Sequence, residues 1–217
     1  GDLFLACTDG ELNIITPGRK VVAIYGFCNI RDFMETTQCL LEEVMVFVNK
    51  IARIVHICVH EWHGAANKNI GDSFLVTWLL RDLEIRDGEP EHPTPRTSDM
   101  CDRSLLSFIK VIAEVRRATD LNAYARHPKI IPKFGMNYRV TLGFGLHFGW
   151  GIEGAIGSDH KIDASYLSPH VNTASRLESI SKTYDVNIIV SEKFFNLLSQ
   201  KGKERCRKRS EERRVGK

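Results

Sequence analysis

The fold this sequence predicts is an α/β sandwich, with helices packed on a mostly antiparallel sheet. Three observations carry that prediction. The 217 residues are 43% apolar and 26% charged, as in an ordinary globular chain long enough to bury a core. Short β-branched apolar runs alternate with longer stretches whose apolar residues recur every three or four positions. The resulting order is strand, helix, strand, strand, helix, strand, strand, helix, strand, and it contains a ferredoxin-like βαββαβ core.

Residues 1–18 read as an irregular lead-in that stops at Pro17-Gly18. Lys20–Phe27 is rich in Val and Ile and predicts a buried strand. Asp32, three residues before Glu35, reads as a capping box. Leu40, Leu41, Val44, Phe47, Val48, Ile51, Ile54, Val55 and Cys58 follow at helical spacing. Gly64–Asn69 and Ser73–Trp78 predict a hairpin turning at Ile70-Gly71-Asp72. Three prolines and many charges make Arg81–Arg103 a surface loop, after which Ser104 is placed to cap a helix over Leu105–Val115. Pro128 and Pro132 close the next connection. Tyr138–Phe148 predicts a strand, with Gly145, Gly149 and Gly151 turning it back into Ile152–Ser158. A helix over Val171–Thr183, a strand over Asn187–Val190 and a short helix over Ser191–Leu198 complete the order. The domain boundaries read as 19–200, with a truncated C-terminus expected because no apolar strand follows Leu198, and with 201–217 a solvated basic tail.

The net charge of +3 hides an asymmetry. Residues 201–217 alone carry +6, which leaves −3 for residues 1–200. The basic balance therefore belongs to the tail, and the body lacks the basic, aromatic face of a nucleic-acid-binding domain. Six scattered cysteines without C-x-x-C read as reduced, mostly buried thiols. The longest uncharged run, Val140–Ile152, is too short to span a bilayer. The expected location is cytoplasmic, with any membrane anchor supplied by parts of a parent protein outside this chain. Histidines 60, 63, 147, 160 and 170 show no metal-ligand spacing, and Trp62 and Trp150 read as packing residues.

Four segments carry chemistry. They are Phe27–Phe33, Gly64–Leu75, Gly149–Ser158 and Lys161–Glu178. In this order they resemble the catalytic domain of class III adenylate and guanylate cyclases, closest to the adenylate cyclase domains of protists, over roughly residues 20–200. The resemblance implies the class III cyclase fold and cyclisation of ATP to cyclic AMP and pyrophosphate. It also implies Mg2+ or Mn2+, and a homodimer or a heterodimer with another cyclase domain, with each site at the interface. Such chemistry needs carboxylates for a hard cation, a fixed cation for the charged transition state, and a matched donor and acceptor for the base.

Taken alone, Asp72 reads as a turn-forming aspartate. The resemblance makes it a metal ligand. The second metal position falls on Asn29, a neutral amide where the family carries aspartate, so two-metal binding by this chain should be impaired. Asp32 follows three residues on and is read as a helix cap rather than as a replacement ligand. Lys68 matches the lysine that donates to an adenine ring nitrogen, where guanylate cyclases carry glutamate. Ser165 matches the second base-reading position, where a hydroxyl discriminates less strictly. Asn172 and Arg176, four apart on one helix face, match the residues that orient the ribose and stabilise the α-phosphate. The backbone N–H groups of Ile30, Arg31, Asp32 and Phe33 are expected to cradle the outer phosphates at a helix start. A second phosphate-contacting lysine of the family finds no counterpart after Leu198. The alternative reading is a cyclase-like module that binds nucleotide or a partner domain and turns nothing over.

Overall fold

The computed structural model describes residues 17–80, 93–158 and 160–208. The lead-in before residue 17, most of the proline-rich loop and the last nine residues lie outside the described residues. A six-stranded sheet runs β2-β3-β1-β4-β5, with β6 beside the first part of β4. The strands are β1 (Arg19–Ile30), β2 (Ala65–Ile70), β3 (Ser73–Leu79), β4 (Leu142–Ser158), β5 (Lys161–Leu167) and β6 (Ile188–Val190). All pairings are antiparallel except β4 with β6. The order β2-β3-β1-β4 is the predicted ferredoxin-like arrangement.

Alternation along β1 divides the molecule into two layers. Val22, Ile24, Cys28 and Ile30 face a large core with helices α2 (Val44–Glu61) and α3 (Pro95–Arg117). Phe47, Ile51, Val55 and Val59 of α2 and Phe108 and Val111 of α3 are buried there, against Phe74, Val76 and Trp78 of β3. Each such side chain contributes about 1.5–3 kcal/mol by leaving water. Val21, Ala23 and Tyr25 face the other way, onto Tyr166 and helix α6 (Pro169–Thr183). This second, thinner layer carries the residues of interest.

Several elements differ from the sequence reading. The predicted long first helix is two: α1 (Phe33–Leu40) and α2, broken at Leu41, whose φ of 52° no α-helix interior accommodates. Asp32 makes no side-chain cap to α1; it is left-handed (φ 52°), and its carbonyl accepts from Thr36. The α3 helix begins nine residues before Ser104, inside the predicted loop. Pro95 sits in its first turn, and Thr94 and Thr97 form a reciprocal capping box. Proline at the first helical position is favoured because its missing N–H has no partner there. Ser104 is instead buried within α3, bonded to the Cys101 carbonyl. Short helices α4 (Thr119–Asn122) and α5 (Ile131–Phe134) fill the connection to β4.

The predicted glycine turn after Phe148 does not form. β4 runs unbroken for 17 residues, and the next strand is β5. These glycines serve close approach rather than a turn: a Cβ on Gly145 would overlap the Ala174 carbonyl, and one on Gly149 would overlap the His170 ring. The last helices among the described residues are α7 (Glu192–Leu197), capped by Ser191, and α8 (Gln200–Glu204), with Gly202 buried where a solvated tail was expected. Cysteines 28, 39, 58, 101 and 206 are free.

Candidate active site

The end of β1 and the β2–β3 turn build one corner. β1 continues three residues past the predicted Phe27, which sets Asn29 directly opposite Ser73. Gly71, at φ +60°, takes the left-handed conformation that a two-residue turn needs and delivers Asp72 to the same place. The Ile30 N–H donates to the Asp72 carbonyl (3.0 Å). Asn29 Nδ2 donates to Ser73 Oγ at 2.8 Å, and Ser73 Oγ donates to Asp72 Oδ1 at 3.2 Å. The two predicted metal positions, forty-three residues apart, are thus joined through one hydroxyl.

The phosphate cradle is only half free. The Ile30 N–H is taken by Asp72, and the Arg31 N–H donates to the Thr141 carbonyl at 2.9 Å. That corrects the expectation for these two: strand pairing uses both donors before α1 begins. Asp32 and Phe33 remain at the helix start. The Asp32 carboxylate lies 3.7 Å from Lys182 Nζ, an exposed pair at the C-terminal end of α6.

Lys68 owes its orientation to a β-bulge. Ala66 lies opposite Val76 and Lys68 opposite Leu75, so Asn67 is the extra residue. Opposed residues share a face. Val76 and Phe74 face α2 and α3 in the large core, and Leu75 does not. Without the bulge Lys68 would oppose Phe74 and turn into that core. With it, the half-buried Lys68 stands on the α6 side of the sheet. Ser165, half-buried on β5, lies opposite Gly154. Its neighbour Tyr166 anchors the strand: the ring meets Tyr25 edge-on at 5.9 Å, and the hydroxyl donates to buried Glu153 at 2.8 Å. β5 comes close to β2 although the two stand at opposite ends of the sheet order. That brings the strands of Ser165 and Lys68 together.

Helix α6 starts at Ser168, whose hydroxyl accepts from the His170 N–H. Ala174, Glu178 and Ser181 face the sheet; Asn172 and Arg176 are exposed on the outer side. Both therefore point away from the Asn29–Asp72 corner of their own chain.

Sequence reasoning missed Glu178. It closes the stretch that contains Asn172 and Arg176, yet lies two residues past Arg176 and so on the opposite side of the helix. It is 7% exposed. Its carboxyl is pushed above the usual range by burial and by the Asp72 charge, against the pull of Arg31. Arg31 Nη1 stands 3.7 Å from Glu178 Oε1, and Arg31 Nη2 donates to Ser181. Among the described residues no three of His, Cys, Asp and Glu cluster to hold a metal, and no helix is long and apolar enough to cross a membrane.

Solved structures that superpose on this fold include nucleotide cyclases. Residues 17–216 match the family described as adenylate and guanylate cyclase catalytic domain, and the chain belongs to that family. It is 24% identical over 174 residues to an adenylate cyclase of Anabaena cylindrica, covering 80% of this chain and 30% of that protein. It is 23% identical over 175 residues to the terminal-differentiation specific adenylate cyclase of Dictyostelium discoideum, covering 80% of this chain and 7% of that protein. The chain thus spans less than a third of these relatives. The adenylyl cyclase CyaB of P. aeruginosa superposes with a TM-score of 0.66 at 19% identity, over 84% of this chain and 82% of that one. The guanylyl cyclase Cya2 superposes at 0.62 and 18% identity, over 85% and 81%.

Proposed function

We propose that this domain converts ATP to cyclic AMP and pyrophosphate across an interface with a second cyclase domain, and that this chain supplies the half that reads the base and meets the transition state. One observation carries the reading. The metal corner holds a neutral amide in hydrogen-bond contact with the Asp72 side, while Lys68 is present on the α6 side of the sheet and Asn172 and Arg176 are present and turned away from that corner.

The ribose 3′-hydroxyl attacks the α-phosphate of its own nucleotide, and pyrophosphate leaves. Asp72, with the amide oxygen of Asn29, would hold Mg2+ or Mn2+, which would supply Lewis-acid activation of the hydroxyl and offset phosphate charge. The remaining roles fall to side chains of this chain. Lys68 donates to an adenine ring nitrogen, and the Ser165 hydroxyl accepts from the exocyclic amine. Asn172 orients the ribose. Arg176 forks onto the α-phosphate oxygens as their charge grows. The Asp32 and Phe33 N–H groups are the donors left for the outer phosphates. Met34, Leu41, Met45 and Val46 are exposed around the α1–α2 junction, an apolar surface of the kind that pairs with a partner.

The test is cyclic AMP formation from ATP with Mg2+ or Mn2+. The chain is assayed alone, then mixed with a related domain that has both metal aspartates and lacks the arginine. Product chiefly in the mixture is expected. The neutral amide also favours a second reading, a module that binds nucleotide without turnover. Dimers that form in the mixture yet yield no product would decide for it.

A further inference from the structure

We propose that Glu178 is a second carboxylate of the metal site, reaching from α6 the place beside Asn29 that the amide leaves uncharged. The inference rests on the reading of Asp72 as a metal ligand. It starts from Gly143, the β4 residue directly opposite Asn29. Side chains of directly opposed residues project to the same face. A Cβ built on Gly143 would run into Glu178 Oε1 and the Arg31 guanidinium. The Glu178 carboxylate therefore fills the space that β4 leaves open next to the Asn29 side chain. On the other side of Asn29 stand Ser73 and Asp72. The row Asp72, Ser73, Asn29, Glu178 crosses the sheet and ends on α6.

Glu178 is also incompletely satisfied. It is more than nine-tenths buried, and its Oε1 has no hydrogen-bond partner among the described residues. The Arg31 nitrogen at 3.7 Å is beyond hydrogen-bond reach. A buried carboxylate oxygen without a donor needs an explanation, and a cation is one. Hard divalent ions take carboxylate and amide oxygens, and they accept as few as one or two carboxylates when substrate phosphates complete the shell. Asn29 suits that shell: its Nδ2 is spent on Ser73, which leaves Oδ1 as an oxygen ligand. Arg31 and the ion then compete for one carboxylate.

The test is Mn2+ binding by the full chain, read from loss of the free-Mn2+ EPR signal without nucleotide. Glu178→Gln keeps the shape and removes the charge; Mn2+ binding should weaken about tenfold or more, as it should in Asp72→Asn. Arg31→Gln should tighten binding about threefold by removing the competing charge, and adding Glu178→Gln should abolish that gain. Should Glu178→Gln fail to fold, Arg31→Gln carries the test, and unchanged Mn2+ affinity there overturns the proposal. A folded Glu178→Gln with parental affinity, beside a weakened Asp72→Asn, makes Glu178 the counterion of Arg31 alone and overturns it too. So does a parent chain that binds no Mn2+. None of these outcomes bears on Lys68, Asn172 and Arg176, whose roles are read from cyclic AMP made in the mixture.

Discussion

At the end of β1 the chain closes on itself. Asn29, Ser73 and Asp72 form a continuous hydrogen-bonded row, and the backbone of Ile30 ties the same turn down. The outer face of α6 does the reverse, with Asn172 and Arg176 both exposed. Strand register fixes the first region to within a residue, because each partner is set by its neighbour across the ladder. The second is fixed only by which side of a helix meets the sheet. On the proposed reading, the metal corner is assembled within one chain, and the reading face needs something brought to it. Helix α6 joins the two, since Arg176 looks outward and Glu178 looks inward.

The sharpest way to break this comparison is Arg176→Ala. If the exposed guanidinium meets a phosphate only in the paired state, its removal should cost about 10^3-fold in turnover of the mixed dimer, or roughly 4 kcal/mol of transition-state stabilisation. ATP-analogue binding and dimer content should change far less. Arg176→Lys should restore little, since a point charge cannot fork onto two oxygens. A loss below about tenfold would make Arg176 an ordinary surface residue.

The seat of α6 is the next target. Gly145→Ala puts a methyl against the Ala174 carbonyl and the Glu178 backbone nitrogen, groups that cannot swing aside. A loss of about 3 kcal/mol is expected, read from the urea midpoint, together with weaker Mn2+ binding because Glu178 shifts with its helix. Parental stability would show that α6 is loosely held and that the two regions are not mechanically joined.

A pH effect of similar size belongs to the other end of the same helix. His147 Nδ1 pairs with Ser191 Oγ at 2.7 Å, and His147 Nε2 with His170 Nδ1 at 2.8 Å. Burial, and then the nearby His170, lower the His147 value to about 4. The folded protein therefore holds a neutral imidazole that the unfolded chain protonates near 6.5. The stability from this group is complete above that pH and is lost as pH falls from about 6.5 toward 4, by at most about 3 kcal/mol. Urea midpoints across that window measure it; a flat profile would mean the pair carries no such penalty.

The order of strands and helices was legible because periodicity survives in a single sequence. So was the corner residue Asp72, because a glycine turn leading into an apolar run has few other solutions. Other features depend on contacts that no local pattern encodes. Gly145, Gly149 and Gly151 looked like a turn, yet they lie where other groups approach β4 closely; sequence shows a missing side chain but not what fills its place. Pro95 read as a loop and proved a helix start, since proline's preference reverses between those positions. Lys68 turns to the α6 side of the sheet only through the bulge at Asn67, and Glu178 comes beside Asn29 only because Gly143 stands opposite it. Arg31 shows the converse: it lies just before the helix start, as expected, but its N–H is already spent on the Thr141 carbonyl.

Lys68→Glu tests the reading face itself. Replacing a donor with an acceptor at a base edge should reduce kcat/KM for ATP about 100-fold in the mixture, with a smaller relative change for GTP. Equal losses for both nucleotides would place Lys68 outside base recognition.

Asn29→Asp should have the smallest effect, and it is the most direct comparison of the two regions. A carboxylate there adds charge to a corner that already holds Asp72 and, by the argument above, Glu178. Without an ion, like charges at such spacing repel one another, so part of the gain in metal affinity is offset in the free protein. Activity of the chain alone should therefore rise about tenfold rather than by several orders of magnitude, with the midpoint of its Mn2+ dependence moving to lower concentration. A much larger rise would mean that Glu178 contributes nothing and that Asn29 was the whole defect. No rise in a folded, dimeric protein would place the limit on the reading face, with the metal corner already adequate as it stands.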